Sequence, residues 1–147
     1  MDSIASLRYA SWRYRIYEFA RPDGTSVIGA WLDAEDIQSR DRKMLVAKTD
    51  MLAMHGPDLP PGLLSGVLKS KTHPKLERHI HKLSVHANIM LRPMLCRGPI
   101  DMDNEFTFLL GAIETGGVLD QDPATAEANR QIVIADPSRR ILNGRYR

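Results

Sequence analysis

The spacing of apolar residues changes once along this chain, and that change restricts the fold more than any other feature. Between Val27 and His55 apolar side chains recur at the seven-residue spacing of one helix face, as Leu45 and Leu52 do. After the loop Pro60-Pro61-Gly62 they recur in short runs typical of strands. A helical part followed by a strand part indicates an α+β fold.

Turn and capping residues mark the ends of the first elements. The segment WRYRIYEF, Trp12 to Phe19, alternates aromatic or aliphatic residues with arginines and predicts a half-buried strand, which the turn Pro22 to Thr25 closes. The following helical stretch is predicted to break near Asp33. Gly56-Pro57 should end it, since glycine adopts the left-handed C′ conformation and proline cannot continue a helix.

The remaining elements are predicted as strands and one short helix. Short polar links join the candidate strands, which favours antiparallel neighbours, and the last strand is apolar on both faces, as a central strand should be. These candidates cover residues 63–69, 76–85, 89–96 and 106–113. Asp122-Pro123 should begin a helix, with aspartate as N-cap and proline in the first turn, and Asp136-Pro137 should end it.

We therefore expect one α+β domain spanning residues 1–147. Its N-terminal strand and long helices should pack on one face of a sheet of four or five mainly antiparallel strands, with a short C-terminal helix. Residues 1–11 and 141–147 are predicted to be irregular tails.

Composition limits the class of protein. With 147 residues and 43% apolar content, the chain suits one globular domain. Its single cysteine, Cys96, cannot form an internal disulfide and is expected to be buried. No signal-like or membrane-spanning apolar run is present, so we expect a cytoplasmic protein without membrane contact. No motif indicates a cofactor.

Charge is unevenly distributed although the net charge is only +2. The region from Lys69 to Arg97 is basic, and the region from Asp101 to Glu127 is acidic. Such asymmetry fits a local phosphate-binding face on a nearly neutral protein, and it fits a solvated strand surface equally well. The basic region contributes the candidate RNA- or phosphate-binding residues Lys69, Lys71, Arg78 and Arg97.

His79 and His81 are the sharpest local feature, because residues two apart on a strand point to the same side. Such a pair can bind phosphate, or act as an acid and a base near neutral pH. It could also have no role. A metal site would need a third ligand, which the spacing does not offer, so no metal is predicted. Arg92, on the next strand, could clamp a phosphate and stabilise charge developing during phosphodiester cleavage.

The order of motifs resembles the RelE/HigB toxin superfamily, particularly its phage-derived branch, from about Trp12 to about Arg140. The segments that carry the resemblance are WRYRIYEF, DGTSVIGAWL, LAMHGPDLP, LERHIHKL, IMLRPMLC, FTFLLGAIETGG and DPATAEANRQ. The match is one of pattern along most of the chain rather than of a strict motif.

The resemblance implies a ribosome-dependent endoribonuclease that cleaves mRNA without a metal and is neutralised by a small antitoxin. His79 and His81 fall where the family carries alternating basic residues, and Arg92 falls where it carries an arginine on the next strand. These three are therefore the candidate catalytic residues. Tyr146 could stand in for a C-terminal aromatic residue.

Two departures from the family pattern favour an alternative function. Where the family carries basic residues after its last strand, this chain reads Glu114 to Gly117, and a glutamate there would repel a phosphate. Pro93 follows Arg92 directly and predicts an edge, bulge or bend. The linker from His81 to Arg92 is also long. The alternative is a catalytically inactive RelE-like binding or assembly module encoded by a phage or mobile element, with proteins of that element as partners.

Overall fold

The computed structural model describes residues 12–70 and 79–143 and has an α+β architecture. A five-stranded sheet lies between helices, and each face of the sheet carries its own apolar cluster. The bounds of the elements, in chain order, are β1 Arg15–Phe19, α1 Val27–Ala34, α2 Ser39–His55, a 3-10 turn Gly56–Asp58, β2 His81–Lys82, β3 Val85–His86, β4 Met90–Leu91, β5 Met94–Arg97, β6 Glu105–Leu110, β7 Glu114–Thr115, β8 Val118–Leu119, α3 Pro123–Ala135 and β9 Arg140–Leu142.

The main sheet has the strand order β2-β5-β6-β1-β9. Its neighbouring strands pair antiparallel except β1 and β6, which pair in parallel. The prediction of four or five mainly antiparallel strands is therefore confirmed. The central position of β6 is confirmed as well: Phe106 and Phe108 belong to one apolar cluster, whereas Leu109 belongs to the other.

The two N-terminal helices cover one face of the sheet. Ser26 caps α1 by accepting hydrogen bonds from the backbone N–H groups of Ile28 and Gly29. Buried Leu45 and Leu52 lie on the face of α2 that packs into the cluster containing β1 and β6 residues, as their spacing predicts. Gly56 ends α2 with a φ of +52°, and a Cβ there would lie 2.5 Å from the Tyr14 ring.

Helix α3 packs on the opposite face, through Ala126 and Val133. Asp122 caps it and Pro123 is its first residue, so both predicted capping roles are confirmed. None of the helices in the described parts of the chain combines the length and the apolar character that crossing a membrane requires.

Several predicted strand boundaries are wrong. The segment 63–69 forms no strand, and only an isolated bridge joins Leu64 to Leu83. The predicted strand 89–96 is interrupted at Arg92-Pro93, and the pairing of β5 with β6 shifts register between Met94 and Leu95, as the expected edge, bulge or bend at Pro93 allows. Residues 114–119 form the hairpin β7–β8, which the apolar pattern did not predict. Part of the expected irregular C-terminal tail is strand β9, which pairs with β1.

Candidate functional site

The two candidate histidines do not lie on one regular strand. His79 is exposed and lies in a bend before β2, whereas His81 is within β2 and pairs with Leu95. Leu95 belongs to the cluster beneath the N-terminal helices, and Ile80 belongs to the cluster beneath α3. The sheet register therefore places His81 on the helix α1–α2 side of β2.

His81 also has a local structural contact. Its Nδ1 lies 2.8 Å from the backbone oxygen of Ser65. A carbonyl oxygen only accepts hydrogen bonds, so Nδ1 carries the proton in this contact and Nε2 is the remaining basic nitrogen of the neutral ring. The contact attaches β2 to the irregular segment beside it, where the Ser65 N–H also donates to the Lys82 carbonyl over 3.0 Å.

Arg92 is buried rather than open to a substrate, with only 4% of the residue exposed. Its Nη1 donates to the backbone oxygens of Leu91 at 2.9 Å and Val85 at 3.3 Å. Its Nε lies 3.5 Å from Oε1 of Glu114. The β3–β4 hairpin therefore fixes the guanidinium through backbone contacts, and Glu114 supplies its counter-charge.

Lys82 completes this group, which we call the Glu114 triad: Lys82, Arg92 and Glu114. Lys82 Nζ donates to the same oxygen of Glu114, Oε1, over 3.1 Å. The hydrogen bond from Lys82, together with the charges of both cations, holds the pKa of the Glu114 carboxyl below its ordinary value. Glu114 is therefore ionised at neutral pH and is not suited to act as a general acid.

The β7–β8 hairpin holds Glu114 in register. Thr115 pairs with Val118 across a two-residue turn in which Gly116 and Gly117 have φ values of +58° and +79°, the conformation that a tight hairpin requires. At the base of the hairpin Asp120 accepts a hydrogen bond of 2.7 Å from the N–H of Ile113. The carboxylate thus projects from a short rigid element rather than from a loose loop.

Lys82 also lines a cleft of ≈340 Å³ between the segment before β2, the β7–β8 hairpin and the start of α3. Leu68, Leu119 and Pro123 give it apolar walls, and Lys69 gives it a second cation. The remaining lining residues are Gly117, Val118, Asp120, Gln121 and Asp122. Asp120 and Asp122 each accept a hydrogen bond from a backbone N–H, of Ile113 and Ala124 respectively, and they give the cleft two negative charges beside its two lysines.

The structure brings together only some of the residues singled out from the sequence. Of the predicted phosphate-binding residues, Lys69 lines the cleft, but Arg97 does not: its Nε donates to the Met102 carbonyl in the loop after β5. Lys71 and Arg78 lie outside the described residues. The sequence reasoning did not identify Lys82, because the histidines on either side of Ile80 form the more distinctive pattern. The one available signal was alternation, since the apolar Ile80 and Lys82 share a face.

Cys96 is completely buried in the cluster beneath α3, as expected. Burial raises the pKa of the Cys96 thiol from an ordinary value of 9.0 to about 12. The thiol is therefore protonated at neutral pH, which makes Cys96 unsuitable as a nucleophile.

The same shift predicts a loss of stability at high pH. The unfolded chain releases the thiol proton above about pH 9 and the folded chain releases it only near pH 12, so the contribution is complete below pH 9 and is lost as the pH rises toward 12. Between pH 9.5 and 10.5 the unfolding free energy of the native sequence should fall by about 1.2 kcal/mol more than that of Cys96→Ala, slightly less than roughly 1.36 kcal/mol per pH unit because some unfolded thiol is still protonated at pH 9.5. Urea unfolding across this range tests it, and equal slopes for both proteins would contradict it.

Within residues 12–70 and 79–143 no group of three His, Cys, Asp or Glu side chains is arranged to hold a metal ion. Comparisons of the chain with protein-family models, with curated proteins and with solved structures found no match. The function therefore has to be argued from the Glu114 triad and the adjoining cleft.

Proposed function

We propose that the chain is a RelE/HigB-like binding or assembly module that does not cleave RNA. The resemblance rests on the order of elements that the sequence predicts, namely a strand, helices, antiparallel strands with a central buried one, and a short helix. The observed order β1, α1, α2, β2–β6, β7–β8, α3, β9 supports it apart from the β7–β8 hairpin and β9.

The observation that carries the proposal is the position of Glu114. The family that the chain resembles carries a basic residue after its last strand, where it would attract phosphate. Here the Glu114 carboxylate binds both Lys82 and Arg92 through one oxygen. The cations that would stabilise a scissile phosphate are therefore neutralised from within the chain, and a phosphate brought to them would meet a negative charge.

The cleft also lacks an evident acid–base pair. Metal-independent ribonuclease chemistry needs a group to remove the 2′-hydroxyl proton and another to protonate the leaving oxygen. No histidine is among the residues that line the cleft in the described part of the chain. His81, which could supply such chemistry, faces the opposite side of β2.

A second candidate is the mRNA endoribonuclease of a toxin–antitoxin system, acting on the ribosome with His79, His81 and Arg92. The two lysines on the cleft, Lys69 and Lys82, favour it, because they could bind the backbone of an RNA strand. A small antitoxin gene next to this one would support this candidate, whereas neighbouring virion genes would support the binding module.

Induced expression in a bacterium separates the two candidates. For a binding module we expect unimpaired growth and intact mRNA, and purified protein added to a cell-free translation reaction should give no cleavage in the ribosomal A site. Growth arrest with A-site cleavage by the native protein would overturn the proposal, and loss of both effects in His81→Ala would assign the cleavage to the endoribonuclease candidate, whereas Lys82→Ala tests the contribution of the cleft. Lys43→Ala, an exposed change on α2 that removes the same charge as Lys82→Ala, is the control for expression and charge.

A further inference from the structure

We infer that Lys82 and Arg92 form a binding site for a phosphate-type oxyanion, and that Glu114 occupies this site in the free protein. The inference rests on the proposed function, in which the site is non-catalytic, and it names the class of ligand that the site would take. The ligand chemistry is a tetrahedral oxyanion, whether a free phosphate ion or a phosphodiester of RNA.

The geometry of the two cations fits one oxygen of such an anion. Lys82 Nζ and Arg92 Nε approach Oε1 of Glu114 at 3.1 and 3.5 Å. Both distances exceed the roughly 2.7–2.9 Å of a charge-assisted hydrogen bond, but the two cations converge on a single oxygen. The carboxylate thus marks the place where an external oxyanion would lie.

The position of the Arg92 guanidinium does not depend on Glu114. Backbone carbonyls of Val85 and Leu91 hold it. The backbone of Lys82 is held by pairing with Met94 and by the bond from its N–H to Ser65 Oγ at 2.9 Å, which fixes the base of the side chain. Removing the carboxylate should therefore leave one fixed cation, Arg92, with the Lys82 ammonium tethered beside it.

This position adjoins the cleft. Lys82 is among the cleft's lining residues, and about a fifth of the Glu114 side chain is exposed (22%). Lys69 is a second cation on the same cleft, which also carries Asp120 and Asp122. An RNA strand could thus place one phosphate at the Glu114 triad while Lys69 contacts a neighbouring one.

Glu114 should act as a tethered competitor. A group fixed on a rigid hairpin has a high effective concentration at its own site, so an external anion must displace it. We therefore expect inorganic phosphate to bind Glu114→Gln at least about tenfold more tightly than the native protein, because the amide keeps the shape of the side chain but removes its charge.

Titration with inorganic phosphate, followed by the amide resonances of β2, β4 and β7, tests the inference. The double variant Glu114→Gln with Lys82→Ala should lose the gain, and Glu114→Gln with Lys82→Arg should keep it. Glu35→Gln makes the same change in net charge away from the site and should gain nothing. A parallel titration with a six-nucleotide oligouridylate shows whether RNA phosphodiesters bind better than the free ion.

The inference is overturned if folded Glu114→Gln binds phosphate no better than the native protein, or if Glu35→Gln gains equally. If Glu114→Gln does not fold, Glu114→Asp replaces it: the shorter side chain withdraws the carboxylate while preserving the charge, and it should give a smaller gain. These outcomes are independent of mRNA cleavage, which tests the proposed function alone.

Discussion

Replacing Arg140 with alanine should lower the free energy of unfolding by about 3 kcal/mol, because it leaves a buried carboxylate without its main partner. Glu105 on the central strand β6 is only 1% exposed, and Nη1 of Arg140 binds its Oε2 directly. The guanidinium of Arg140 also lies 3.8 Å from the centre of the Tyr17 ring. The substitution therefore removes a buried ion pair and a cation–π contact together.

Two other contacts limit the loss. Nη2 of Arg15 lies 3.6 Å from Oε1 of Glu105, and the N–H of Ile100 donates to Oε2 over 3.1 Å. The effect should thus fall at the lower end of the range for breaking a buried pair, which extends to about 5 kcal/mol. Urea unfolding followed by circular dichroism measures it.

Arg21→Ala is the matched control, since it removes the same charge from an exposed turn and should change stability by no more than about 0.5 kcal/mol. A second variant tests the cause. If the orphaned carboxylate is responsible, replacing Glu105 with leucine in the Arg140→Ala background should recover part of the loss. Equal effects of Arg140→Ala and Arg21→Ala would contradict the prediction.

This ion pair also explains why the end of the chain was predicted wrongly. The sequence from Arg139 onward is basic and carries no strand pattern, so composition indicates a tail. Strand β9 forms there because it pairs with β1 and because distant groups bind it: Arg140 reaches Glu105, and Asn143 Nδ2 donates to buried Glu18 over 2.7 Å. Contacts between residues more than thirty positions apart in the sequence cannot be recognised from the spacing of neighbouring residues.

The elements that were predicted well are those with local causes. Helix α2 ends at Gly56-Pro57 and helix α3 begins at Asp122-Pro123, as predicted. Both boundaries have local causes: the backbone conformation of glycine, the capping side chain of aspartate and the N–H group that proline lacks. The interruption of the strand at Arg92-Pro93 follows from the same local chemistry, since proline has no N–H to donate. Strand β6 was recognised because burial on both faces requires a continuous apolar run.

The candidate site was less predictable because it depends on pairing. Strand β2 has only two residues, so the spacing of His79 and His81 could not indicate which face either side chain takes. Pairing with Met94 and Leu95 decides it and places Lys82, rather than a histidine, beside the cleft. The sequence did single out Glu114 as an anomaly, but its two cationic partners are defined only by the position of the β7–β8 hairpin.

Gly111→Ala should lower the free energy of unfolding by about 3 kcal/mol, at the upper end of the usual cost of overpacking a core. Gly111 is buried immediately after β6, and a Cβ at this position would lie 1.9 Å from Cδ2 of Trp31 and 2.2 Å from Cγ. The Trp31 ring packs against the cluster between α1 and the sheet. It cannot yield without disturbing that cluster.

Steric overlap, and not backbone conformation, is the cause, since Gly111 does not have a positive φ. Gly66→Ala is the matched control: its Cβ would meet nothing within 4 Å, and it should change stability by less than about 1 kcal/mol. Combining Gly111→Ala with Trp31→Leu tests the mechanism, because the smaller side chain makes room for the new methyl group. The double variant should then be more stable than the sum of the two single losses predicts. Strictly additive losses in urea unfolding would show that the Trp31 ring is not what excludes a side chain at position 111.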